Sequence, residues 1–128
     1  QPTVKVFDQI SKRDALKLLH AVDMGYISLK SGPLFRFGIS PNKLFDYMLA
    51  GLPVLFSITA GNNPVQEANC GISTASNDIP AIAEALIKFA ELSKEDRTTL
   101  GENGKKYVIQ HHSYEYLAEN YLSHISNI

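Results

Sequence analysis

Apolar residues switch between two spacings along this chain of 128 residues. Val4 and Val6, with Ile10, predict a short strand, after which "SKRDALKLLHAV" changes to helical spacing. Ser11 and Asp14 form a capping box there, and Ala15, Leu18, Leu19 and Val22 make the apolar face. "MGYISLK" (24–30) predicts a strand, and 31–40 is a loop punctuated by Gly and Pro that carries Phe35 and Phe37. Ser40 as N-cap and Pro41 in the first turn predict a helix to Ala50, ended by Gly51. "LPVLFSI" (52–58) then has the continuous apolar character of a buried strand.

The second half repeats the alternation. The polar loop "TAGNNP" leads to a short helical stretch around 65–69 that Gly71 closes, and "GIST" predicts one more edge-like strand. Ile79, Ile82, Leu86 and Phe89 recur at helical spacing after Asp78. Ser93 and Asp96 form a second capping box ahead of a helix reaching His111, although Gly101 and Gly104 weaken its first half. Ser113 opens a last helix whose Tyr114, Leu117, Tyr121 and Leu122 form a packing stripe. Strands alternating with helices predict an α/β fold with a Rossmann-like parallel sheet covered by helices on both faces.

Composition adds limits. A hydrophobic fraction of 45% supports one domain with a real core, and a net charge of -1 provides no global field for nucleic acid or anionic lipid. No apolar run approaches the ~20 residues of a membrane span. Cys70 is the single cysteine, which excludes an internal disulfide and a cysteine-rich metal site. His111 and His112 are adjacent at a helix junction, and neighbouring helical side chains diverge by about 100°, a poor arrangement for holding one ion. Neither a metal nor a cofactor is expected.

The chemistry concentrates in "SPNKLFDYMLAG" (40–51). In open α/β sheets ligands sit beyond the C-terminal ends of strands, where this helix begins. Lys43 stands in its first turn, where the positive end of the backbone dipole favours an acid; the mismatch is worth roughly 0.3–1 kcal/mol. A phosphate would be a fitting partner for Lys43 and the exposed N–H groups, and Asp46 could accept hydrogen bonds from vicinal sugar hydroxyls. The same residues also fit a solvated surface pair.

"GISPNKLFDYMLAGLPVLF" resembles the central motif of the C-terminal, donor-binding domain of family 4 glycosyltransferases of the GT-B fold. The likeness is to the branch that builds bacterial capsule and O-antigen polysaccharides. "HAVDMGYISLKSGPLFRF", "QEANCGIST" and "GENGKKYVIQHHSYEYLAENYL" are similar to the same domain in order and spacing. The resemblance implies retaining transfer from a nucleotide-diphosphate sugar, a UDP-sugar ahead of a GDP-sugar, onto a glycan or lipid-linked sugar acceptor. By position, Ser40, Asn42 and Lys43 would lie near the donor diphosphate and Asp46 would hold the ribose hydroxyls. Gly38 stands where the wider family often has a glutamate that contacts the donor sugar, which leaves backbone N–H groups of 38–43 as substitutes. Glu67 is a further donor-site candidate, and no catalytic residue is assigned.

The resemblance further implies that 1–128 is part of a donor domain, without its first strand–helix units or the N-terminal acceptor domain. The isolated chain is then expected not to transfer sugar. The parent is expected in the cytoplasm, with peripheral association at the inner membrane face. Two alternatives stand beside this reading: a fragment of a nucleotide-sugar 2-epimerase, and a non-catalytic Rossmann-like binding domain.

Overall fold

The computed structural model describes residues 4–127. Three parallel strands, β1 (Gly25–Ser28), β2 (Val54–Ser57) and β3 (Gly71–Thr74), lie in the order β1-β2-β3, with Gly25 opposite Val54 and Val54 opposite Gly71. Six α-helices accompany them: α1 (Lys12–Leu18), α2 (Asn42–Leu49), α3 (Pro64–Glu67), α4 (Ile79–Glu91), α5 (Lys94–His111) and α6 (Tyr114–Ser126). The predicted open α/β architecture is the observed one.

β2 is central and completely buried, as a continuous apolar run requires. Its alternation divides the core. Val54 and Phe56 face Leu44 and Met48 of α2, Val65 of α3, Cys70 and Val108 of α5, while Leu55 points to the other side against Ala85 and Phe89 of α4. Each fully buried side chain of this size contributes roughly 1.5–3 kcal/mol. The two glycines of α5 are explained by this packing. A Cβ on Gly101 would collide with the carbonyl oxygen of Gly51, and one on Gly104 would press on Cys70 and Met48, so both residues let α5 approach α2 closely.

The cap readings hold for most helices. Ser11, Asp78, Ser93 and Ser113 each accept a hydrogen bond from the backbone N–H three residues on, at 3.1, 3.0, 3.0 and 3.2 Å. Three expectations need correction here, and a fourth, the Ser40 cap, at the start of α2. Residues 4–10 form no strand: they are irregular, with Val6 94% exposed, because no neighbouring strand pairs with them, and Pro2 and Thr3 of that segment lie outside the described residues. Asn69, at φ 50°, rather than Gly71 turns the chain after α3, and Gly71 already belongs to β3. The stripe on α6 is not packed: Tyr114 is 91% exposed and no residue of that helix is buried.

Candidate functional site

A parallel β–α–β crossover returns the chain from the C-terminal end of β1 to the N-terminal end of β2. α2 therefore runs against the strands and begins at their C-terminal edge. Its start departs from the sequence expectation. Pro41, not Ser40, is the N-cap, at φ -76° and ψ 123°, and no side chain caps the helix. The reason lies in Pro41: its ring fixes φ but offers no acceptor oxygen, and extended ψ leaves it just outside the helix. Leu44 N–H reaches back to Pro41 O at 3.0 Å, whereas the amides of Asn42 and Lys43 have no partner among the described residues. No acidic residue occupies the first turn.

Leu44 and Met48 are fully buried and fix the rotation of α2. Helical geometry then turns Asn42, Lys43 and Asp46 to the opposite side. Asn42 and Lys43 are exposed and Asp46 is half-buried. The Asp46 charge adds to the effect of burial in raising the Tyr47 hydroxyl above its ordinary pKa. Ser40 is exposed just before the helix, and Gly38, at φ 109°, makes a turn that a Cβ would strain. Gly38, Ser40, Asn42 and Lys43 are thus consecutive features of one rim, with Asp46 a turn further along α2.

Glu67 has a different setting. Its carboxylate accepts a 2.6 Å hydrogen bond from the Tyr107 hydroxyl of α5. Burial first, and this bond second, push the Tyr107 hydroxyl up to about 12. The Tyr107 ring lies 4.8 Å from His111 and 5.6 Å from His112, and His112 stacks at 4.4 Å on Phe45 of α2. Glu67 consequently joins α3 to α5 in an aromatic cluster, on a face of α2 other than that of Asp46. Cys70 is buried, and burial raises its thiol to about 11, the environment of a core residue.

The loop after β2, which holds the rim, is no part of the site expected from the sequence. Asn62 clamps Ile39 with both ends of its amide: Oδ1 accepts from Ile39 N–H at 2.7 Å and Nδ2 donates to Ile39 O at 3.0 Å. Gly61 N–H donates to Phe35 O at 2.8 Å, and a Cβ on Gly61 would strike the Arg36 carbonyl, so only glycine permits this approach. The next loop is tied in similarly. Thr59 and Ser76 exchange hydrogen bonds at 2.8 and 3.0 Å, and the Thr74 hydroxyl donates to buried Ser57 at 2.8 Å. The available signal was "TAGNNP", a polar loop directly after the most buried strand. Among the described residues no group of three or more His, Cys, Asp or Glu side chains is placed to hold a metal ion, and no helix is long and apolar enough to cross a membrane.

Comparison with known proteins adds one positive finding. A family model described as glycosyl transferase-like matches residues 3–123. No curated protein and no solved structure matches.

Proposed function

Because the chain belongs to the glycosyl transferase-like family, we propose that it forms part of the donor-binding domain of a retaining GT-B enzyme. That enzyme moves sugar from a nucleotide diphosphate, a UDP-sugar ahead of a GDP-sugar, to a glycan or lipid-linked acceptor in surface polysaccharide synthesis. The observation that carries the reading is the uncapped start of α2, with Lys43 and open amides at the C-terminal edge of the sheet. Ser40, Asn42 and Lys43 face the donor diphosphate, Asp46 accepts from the ribose hydroxyls, and the Gly38 turn borders the sugar.

The chemistry follows from charge. As the glycosidic bond breaks, the sugar becomes oxocarbenium-like and negative charge grows on the departing diphosphate. Fixed N–H dipoles and an ammonium at that place stabilise the transition state more than the ground state, which is the condition for acceleration. A rim held by Asn62 and Gly61 keeps those donors oriented before the donor arrives.

In the full-length enzyme, Lys43→Ala removes one charge-assisted contact worth roughly 1.5–3 kcal/mol and weakens UDP binding about ten- to a hundredfold. Asp46→Asn weakens UDP binding through the ribose. Its penalty therefore shrinks for 2′-deoxy-UDP while the lysine penalty persists. Calorimetry with UDP, UMP and 2′-deoxy-UDP reads this division. Unchanged diphosphate affinity and kcat/KM in Lys43→Ala would make the lysine a surface residue and remove the basis of the reading.

A further inference from the structure

A cleft of about 470 Å³ opens beside the α2 rim, lined by Ser31, Gly32, Pro33 and Arg36 from the loop after β1 and by Thr59, Ala60 and Gly61 from the loop after β2. Its volume lies within the ~300–1,000 Å³ of small-molecule sites. Arg36 is the one charged residue in that lining. It takes part in none of the ion pairs among the described residues, which join Lys17 to Asp14, Lys88 to Glu84 and Arg97 to Asp23. The guanidinium instead lies 4.6 Å over the ring of Phe37, a side chain that is itself 76% exposed.

The cleft walls are fixed to each other. Gly61 donates to Phe35 O, and its missing Cβ lets the backbone of the second loop rest against the Arg36 carbonyl. Asn62 then holds Ile39, only a few residues before α2. Arg36 is thus carried on a braced turn, its charge is met by no carboxylate among the described residues, and its planar fork suits two oxygens of one anion. Ring stacking orients such a fork without neutralising it.

We propose that this cleft is an oxyanion subsite of the donor site, with Arg36 as its charged partner. The proposal rests on the nucleotide-sugar reading and extends it to a residue outside the α2 motif. The oxyanion has two chemical sources, the diphosphate of the donor or a carboxylate on its sugar, and both present the oxygen pair that a guanidinium binds.

The test is a ¹⁵N NMR titration of the 128-residue chain, which reads weak binding residue by residue. The probes are sodium pyrophosphate, uridine, UDP, UDP-glucose and UDP-glucuronate. If the diphosphate is the source, pyrophosphate, UDP and both UDP-sugars shift Arg36 Nε–H and the amides of Gly32 and Gly61, uridine does not, and Arg36→Gln weakens UDP at least tenfold. If a sugar carboxylate is the source, only UDP-glucuronate moves those signals, and Arg36→Gln erases its advantage over UDP-glucose. Arg36→Lys restores part of the affinity in either case. UDP shifts at Asn42 and Lys43 without any anion shift at Arg36 overturn the subsite and leave the α2 reading standing. Pyrophosphate shifts at Arg36 with UDP no tighter than pyrophosphate support the subsite and overturn the nucleotide reading. Silence at both places overturns both. Arg36 is exposed, so a spectrum of unchanged dispersion separates lost binding from lost fold.

Discussion

α2 and α6 are both amphipathic helices, and the one with the better cap is the less buried. Ser113 caps α6 at 3.2 Å, yet none of its residues is buried; α2 has no side-chain cap, yet Leu44 and Met48 are fully enclosed. α1 repeats the α6 pattern, with Ser11 as cap and no buried residue. Capping satisfies an orphan N–H locally, whereas packing fixes a helix from outside. A helix held by its apolar side can leave its N-terminal donors open. In this chain the open donors fall at the C-terminal edge of the sheet, the position from which a ligand can use them.

The strongest way to break this comparison is to remove the packing. Met48→Ala deletes a buried side chain that touches both the sheet and α5, and it is expected to cost about 2–5 kcal/mol in urea denaturation. Leu117→Ala on α6, where the side chain is 45% exposed, is expected to stay within about 0.5 kcal/mol. Similar losses at both positions would show that α6 is held as firmly as α2.

Removing the cap gives a smaller effect. Ser113→Ala is expected to lower stability by about 1 kcal/mol and to fray α6, because no burial compensates for the lost acceptor. Amide exchange should accelerate in 114–118 and remain unchanged in α2. Protection of α6 equal to that of α5 in this variant would contradict a cap-dependent helix.

Adding a cap to α2 sharpens the comparison further. Pro41→Asp supplies the missing acceptor at an extended backbone position, worth about 0.5–2 kcal/mol. Losing the proline returns roughly 0.4–1 kcal/mol of freedom to the unfolded chain. The two effects partly offset, so the expected change in stability runs from a loss of about 0.5 to a gain of about 1.6 kcal/mol, read by urea denaturation. Pyrophosphate affinity should nevertheless fall, because the new carboxylate occupies the amides and repels the anion. Unchanged pyrophosphate shifts at Asn42 and Lys43 would show that the open amides are not its partners.

Much of this fold was legible in the chain, and the misses share a cause. Capping boxes and apolar periodicity located α4 and α5, and the solid run 52–58 located the central strand, because these signals are carried within a few residues. Among the described residues Val4 and Val6 alternate like a strand but have no pairing strand, and the α6 stripe has helical spacing but no buried residue; neither absence is written locally. Lys43 stood out through its conflict with the helix dipole. Asn62 and Gly61 did not, since their meaning depends on two loops meeting across the sheet edge. The Ser40 cap failed for a more local reason: Pro41 kept an extended ψ and became the boundary itself.

The smallest expected effect concerns the joint between α5 and α6. Burial first, and the charge of His111 second, hold the His112 pKa below its ordinary 6.5, while Glu67 acts in the opposite direction. Tyr107 and Phe45 supply the neighbouring rings. A depressed folded pKa means that the unfolded chain binds more protons in the window below 6.5. This contribution to stability is therefore present above that value and is lost as the pH falls through the folded one. His112→Phe keeps a ring against Phe45 and removes the titration, so the wild-type Tm should decline more steeply than the variant's between about pH 7 and 5. Parallel Tm profiles would mean that His112 titrates alike in the folded and unfolded chains. A steeper profile in the variant would reverse the sign and make protonated His112 the stabilising form, with Glu67 as its partner.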